Sequence, residues 1–214
     1  MTVERDLRDG LRAMHLELPE PTCVQLLDYV ALLAKWNRAY NLTAVRDPRQ
    51  MVTRHILDSL AVLPHLHGQS ILDVGTGAGL PGIPLALASP ERRFVLLDSN
   101  GKKTRFVTQA VAELRLKNVQ VVRERVESYR PAQTFDTIIA RAFSSVGALS
   151  EAAGPLCAPG GRLLAMKGIY PVAELEQLPA GYVVREAVRL EVPGLDAERH
   201  LVIMERSEAQ SAGA

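Results

Sequence analysis

Between residues 71 and 82 the chain reads ILDVGTGAGLPG, a strand-like run that breaks into glycines at 75, 77, 79 and 82. No other stretch constrains the fold as much. A strand that ends in closely spaced glycines and passes into a helical segment is the opening unit of a parallel α/β sheet. Its ligand lies outside the carboxyl ends of the strands. Gly77, Gly79 and Gly82 fit G-x-G-x-x-G, the turn whose amides face a pyrophosphate. Gly75, Gly77 and Gly79 fit G-x-G-x-G, which also brings backbone close to a ligand. Spacing alone does not choose between them.

The rest of the chain supports this frame. After Gly68, short runs rich in β-branched residues recur at 70–74, 93–99, 119–125, 135–141 and 161–167. Helix-like segments at 80–88, 101–116 and 145–156 lie between most of them. This pattern predicts parallel strands linked by right-handed crossovers and buried on both faces. Two further runs, 181–192 and 199–206, flank PGLDAE and predict a closing antiparallel hairpin. A dinucleotide fold keeps its last strands parallel. A parallel core closed by a hairpin instead resembles the Rossmann-like class I methyltransferase fold, an α/β sheet of about seven strands.

The first 67 residues differ in character and read as a helical N-terminal lobe. Within 22–41 the apolar residues fall at helical spacing, with Thr22 as expected N-cap. Within 47–66, Asp47 as cap and Pro48 at the first helical position form a start signal. Met51, Val52, Ile56, Leu60 and Leu63 make its apolar face, with Arg54 and Asp58 expected opposite. The expected organisation is a lobe at 1–67, a methyltransferase domain at 68–206 and a frayed small, polar tail at 207–214.

Composition narrows the partners. A net charge of +1 does not announce a nucleic-acid binder, so any such surface must be local. No apolar run approaches the roughly 20 residues needed to span a bilayer. The N-terminus has no apolar signal-like core. Cys23 and Cys157 belong to no C-x-x-C pair and read as buried thiols of a cytoplasmic protein. His15, His65, His67 and His200 form no ligand spacing, so no metal is expected.

Asp73, two residues before the first glycine, discriminates between ligands. Its carboxylate would repel a pyrophosphate by roughly 4 kcal/mol at 4 Å and an effective dielectric of 20. S-adenosylmethionine carries an ammonium and a sulfonium instead, and an acid here suits it. A structural role accepting loop amides is compatible. Asp98, at the end of the second strand, can accept both ribose hydroxyls of a nucleoside, or else cap the helix at 101–116. Glu127 lies beyond the third strand, at the adenine edge or simply in solvent. The fourth strand ends in Arg141, where methyltransferases of exocyclic amines resemble one another in a D/N-P-P-Y type motif absent here. An arginine is no general base. A nucleophile without a proton to lose, such as N7 of guanine, fits that cleft.

The segments NLTAV, HILDSLAVL, DVGTGAGLPGIPLA, LLDSNGKKTRF and ARAF, followed by MKG, closely resemble the RsmG (GidB) family of bacterial 16S ribosomal RNA methyltransferases. The resemblance runs unbroken from about residue 36 to 168. It implies S-adenosylmethionine as donor and N7 of one guanine, position 527 in the 530 loop of 16S ribosomal RNA, as acceptor. The RNA is presented free or in the small ribosomal subunit. On matching positions it implies cofactor contacts at Gly75, Leu80, Val126, Glu127 and Arg141, beside Asp73, Gly77, Gly79 and Asp98 from the reading above. Lys102, Lys103 and Arg105, on the first turns after the second strand, and Lys167, ending the fifth, are candidate RNA phosphate contacts. The alternative is a solvated helix face. His55 reads as a buried histidine or, with Arg141, as a residue positioning the substrate. Two other functions stay open: a nicotinamide-dependent oxidoreductase, and a noncatalytic RNA-binding module on the same fold.

Overall fold

The computed structural model describes residues 2–207, so the expected frayed tail lies, beyond Ser207, outside the described residues. Seven strands form one sheet in the order β3-β2-β1-β4-β5-β7-β6. They are β1 (Ser70–Val74), β2 (Arg93–Leu97), β3 (Val119–Val122), β4 (Phe135–Arg141), β5 (Cys157–Lys167), β6 (Tyr182–Arg189) and β7 (His200–Arg206). β1 to β5 pair in parallel, while β7 runs antiparallel between β5 and β6. The expected closing hairpin is therefore present, with its second strand on the inside. Because the order reverses between β1 and β4, the two strands part at a topological switch point, where α/β sheets bind ligands.

Burial explains the apolar runs. Ile71 and Leu72 point to opposite faces of β1 and both are fully buried. One face of the sheet shares a core with α1 (Val3–Ala13), α2 (Glu20–Tyr40), α5 (Gly82–Ala88) and α6 (Gly101–Glu113), through Leu7, Leu33, Ile83, Phe94 and Phe106. The other face packs α7 (Val146–Ala153) through Leu149 onto Leu72, Ile138 and Leu163. The short α8 (Val172–Glu176) gave no periodicity to read. Both cysteines are free and buried, and burial pushes the Cys157 thiol up to about 12.

Two local expectations need correction. Thr22 is not an N-cap: α2 starts at Glu20 after Pro19, and Thr22 is buried in its first turn. Pro21 sits where its missing N–H goes unneeded, so the helix begins before it. Asp47 does cap α3 (Pro48–Met51), accepting from Arg49 N at 3.0 Å. The helix then continues as a π-helical stretch, Val52–Leu57, into α4 (Asp58–Leu60). There Arg54 is exposed but Asp58 is only 2% exposed. The i→i+5 winding inserts a residue into the turn, so positions four apart no longer share a face. Asp58 therefore points inward.

Candidate active site

The glycine loop follows β1 at the switch point. Gly75, Gly77 and Gly79 have φ of +70°, +61° and +89°. These are left-handed values that a side chain adopts only with strain. The loop glycines then divide into two kinds. A Cβ on Gly75 would meet nothing within 4 Å, and one on Gly77 nothing nearer than 3.8 Å. A Cβ on Gly79 would lie 2.5 Å from Ile83 Cδ1, and one on Gly82 would lie 2.1 Å from Leu96 Cδ2. The first pair borders open space; the second is closed by packing. Leu80 is buried, its N donating to Thr76 O at 2.8 Å.

Asp73 is fully buried beneath this loop. Its Oδ2 accepts from Thr76 Oγ1 at 2.6 Å and from Gly82 N at 2.8 Å. The amide at the start of α5, which a dinucleotide turn would offer to a pyrophosphate, is thus occupied by a carboxylate. The oxidoreductase reading loses its anion site. Asp73 Oδ1 is buried without a hydrogen-bond partner, and burial pushes the carboxyl up to about 6. A buried oxygen lacking a donor is costly unless a ligand supplies one. From below, Tyr29 of α2 donates its hydroxyl to Ala78 O at 2.6 Å, so the N-terminal helices support the loop. Sequence reasoning assigned neither Thr76 nor Tyr29. The Asp-x-x-Thr spacing was a usable signal for Thr76, whereas nothing marked Tyr29.

Asp98, nearly buried, follows β2. Its Oδ2 accepts from Gly77 N at 2.8 Å and its Oδ1 from Asn100 N at 2.7 Å. It does not cap α6; Asn100 does, accepting from Lys102 N and Lys103 N. Each Asp98 oxygen keeps a second acceptor position. A hollow of about 180 Å³ opens here, lined by Gly75, Asp98, Val126, Glu127 and Phe143. Four residues singled out from the sequence thus meet at one small cavity. Val126 is buried and Glu127 exposed. Larger hollows of about 610 Å³ and 560 Å³ touch none of the glycine loop, and chemistry outweighs size in choosing the site.

Arg141 ends β4 across the switch point. Its Nη1 lies 3.6 Å from Asp58 Oδ2, while Arg199 Nε donates to Asp58 Oδ1 at 2.7 Å. One buried carboxylate thus holds two guanidiniums, leaving a net positive charge at the cleft. Ala142, the next residue, has φ +61°. For a residue with a Cβ that costs about 1–2 kcal/mol, and it turns the chain out of the sheet directly after Arg141. His55 is buried, Nδ1 bonded to Arg54 O and Nε2 to Thr43 Oγ1, both at 2.8 Å. Burial, reinforced by the Arg141 charge, pushes it down to about 4, so it is neutral near pH 7. Asn37, accepting from Thr43 N and donating to Val45 O, shapes the loop that brings Thr43 to His55.

The basic residues do not form one group. Lys102 and Arg105 are exposed on α6, but Lys103 Nζ would lie 3.9 Å from a Cβ on Gly77, beside the glycine loop. Arg123, from the edge of β3, packs against Gly101 at the start of α6. Lys167 is paired: its Nζ lies 2.8 Å from Glu174 Oε2 and 3.4 Å from Phe143 O. Among the described residues no cluster could hold a metal ion, and no helix is long and apolar enough to cross a membrane.

The chain is similar to known proteins both in sequence and in fold. Residues 22–202 match the family model described as rRNA small subunit methyltransferase G. The chain is 55% identical over 202 residues to the Ribosomal RNA small subunit methyltransferase G of Marinobacter nauticus, covering 94% of each chain. It is 51% identical over 214 residues to the protein of the same name from Nitrosospira multiformis, covering 97% of this chain and 99% of that one. Among solved structures, an S-adenosylmethionine-dependent methyltransferase from Aquifex aeolicus matches with a TM-score of 0.58 at 21% identity, covering 74% of this chain and 93% of that one. TrmN from Thermus thermophilus matches with a TM-score of 0.55 at 21% identity, covering 80% and 53%. The structural likenesses speak for the fold, and the sequence matches go further: the chain belongs to the rRNA small subunit methyltransferase G family.

Proposed function

We propose that this chain transfers a methyl group from S-adenosylmethionine to N7 of a guanine, position 527 in the 530 loop of 16S ribosomal RNA, in the cytoplasm and on RNA that is free or within the small ribosomal subunit. The observation that carries the reading is Asp73: a fully buried carboxylate with one oxygen on the loop and the other lacking a partner. That oxygen suits the ammonium of the cofactor's methionine portion, and the open faces of Gly75 and Gly77 suit its close approach. The residues present therefore fit the group. When bound, S-adenosylmethionine supplies an electrophilic methyl on a positively charged sulfur.

The chain's own part is to bind and position. Asp98 retains acceptor capacity for two ribose hydroxyls, and Val126 and Glu127 border the adjoining hollow where an adenine fits. Gly79 and Leu80 hold the loop's shape from within. Arg141, held by Asp58, presents a cation suited to the methionine carboxylate. None of these groups is asked to remove a proton, because N7 carries a lone pair and no hydrogen. His55, neutral and bonded at both nitrogens, supports the wall instead of acting as a base. Rate enhancement on this reading comes from alignment and from fixed charges. Lys102 and Arg105, exposed at the cleft mouth, suit RNA phosphates, and Lys103 stands closer to the cofactor. Lys167 contributes through Glu174, as a brace for the segment after β5.

The test is transfer of radiolabelled methyl to small subunits lacking the modification, followed by mapping of the base. One 7-methylguanine in the 530 loop is expected. No transfer, or transfer to another base, would overturn the assignment.

A further inference from the structure

The described residues expose six large apolar side chains, and three of them, Ile169, Tyr170 and Val172, fall within four positions. Scattered apolar residues need no explanation; a cluster beside a cleft does. Ile169 is 80% exposed and Val172 58%. The segment leaves the carboxyl end of β5, where Arg141 pairs in register with Met166. It therefore emerges next to the exit of β4, on the same side as the glycine loop.

Its root is fixed while its tip is free. His200 Nδ1 lies 2.8 Å from Gly168 O, and the Tyr170 ring packs edge-on against the His200 ring at 5.5 Å. Lys167 ties β5 to Phe143 O and to Glu174, and Glu174 Oε2 accepts from Val146 N at 2.7 Å. These bonds join the segment to the connection between β4 and α7. An apolar tip on a braced stem thus lies beside the exit of β4.

We propose that residues 168–172 form a wedge that takes up space in the RNA stack when the target guanine is drawn into the cleft, with Ile169 at the tip and Val172 and Tyr170 beside it. This rests on the RNA methyltransferase reading and adds how the base is presented. In an A-form helix N7 faces a deep, narrow groove that protein groups cannot enter. Chemistry on such an atom requires an unstacked base. Neighbouring bases then expose apolar faces, and aliphatic or aromatic side chains cover them in proteins that part base steps. Three apolar side chains match a few base faces better than they match a protein interface, which buries some 20–30 residues a side.

The test uses the full chain, the Ile169→Ser/Val172→Ser variant and Ile169→Leu. The substrates are unmodified small subunits and a protein-free 530-loop RNA with 2-aminopurine beside the target guanine. Wild type should brighten the 2-aminopurine and methylate both substrates. The double variant should lose the brightening and about 10-fold in kcat/KM on both, within what one lost stacking contact carries. Its S-adenosylhomocysteine affinity should be unchanged, and Ile169→Leu should keep both readouts at the wild-type level. Full brightening and full rate in the double variant would overturn the wedge. So would a loss confined to intact subunits, which would assign the segment to a ribosomal protein. If wild type methylates neither substrate, the underlying reading fails, and the wedge with it.

Discussion

The two walls of the cleft are built on opposite electrostatic plans. Along the ends of β1 and β2 lie acids, Asp73 beneath the glycine loop and Asp98 beside it, held by backbone amides and, for Asp73, the Thr76 hydroxyl. Along the ends of β4 and β5 lie cations, Arg141 and Lys167, each held by a carboxylate from another element. Neutral donors fix an acid without cancelling its charge, so two carboxylates outnumber the cation beside the glycine loop, Lys103. Carboxylate partners cancel charge, and the second wall keeps a surplus only where two guanidiniums share Asp58. The contrast separates a wall suited to a sulfonium and an ammonium from one suited to a carboxylate.

The largest effect expected falls on the second wall. Asp58→Asn leaves two guanidiniums around a neutral amide. Removing one partner of a buried pair should cost about 3 kcal/mol, measurable as a lower denaturant midpoint. A change below ~1 kcal/mol would mean that solvent already screens the cluster and that the walls differ less than their geometry says.

Next come two substitutions on the first wall. Gly82→Ala forces a Cβ toward Leu96 and Asp73, at about 2 kcal/mol of overpacking. Gly75→Ala meets no atom, so its stability cost should stay at the ~1 kcal/mol of a left-handed φ. Calorimetry should nevertheless show S-adenosylhomocysteine binding Gly75→Ala at least about 10-fold more weakly, the ~1.4 kcal/mol equivalent of a modest obstruction. Equal stability losses with unchanged binding would reduce the loop to a turn.

The smallest effect concerns the rim. Lys102→Ala/Arg105→Ala should leave cofactor binding alone and flatten the log–log salt dependence of RNA binding, by about 0.7–0.9 per lost phosphate contact. Parallel slopes at equal affinity would return these residues to an ordinary solvated helix face.

The same contrast explains what was legible in the sequence. The strand runs, the hairpin and the first wall were readable because their determinants are local. Thr76 and Gly82 lie 3 and 9 residues from Asp73, and Asp98 lies 21 from Gly77. The charged centre of the second wall is assembled at long range: Arg199 lies 141 residues from the Asp58 carboxylate it grips, although Glu174 lies only 7 from Lys167. No periodicity reports such a pair. Asp58 was placed on the wrong side because a π-helical turn is invisible to a 3.6-residue pattern. Lys103 was grouped with Lys102 and Arg105 because adjacency in sequence does not show which side chain reaches the glycine loop.

The central claim is that the unpartnered oxygen of Asp73 receives the cofactor's ammonium, and the pH dependence of S-adenosylhomocysteine binding tests it most directly. The ligand lacks the sulfonium but keeps the ammonium. Burial holds the Asp73 carboxyl up at about 6, so below that pH it is neutral and must lose a proton before it can pair. Affinity should therefore be level above about pH 7 and roughly 10-fold weaker at pH 5. His55, pushed down to about 4, stays neutral across that window. Asp73→Asn should bind weakly and show no such slope. A wild-type affinity that is flat from pH 8 to 5, or an Asp73→Asn variant that binds as well as wild type, would contradict the account.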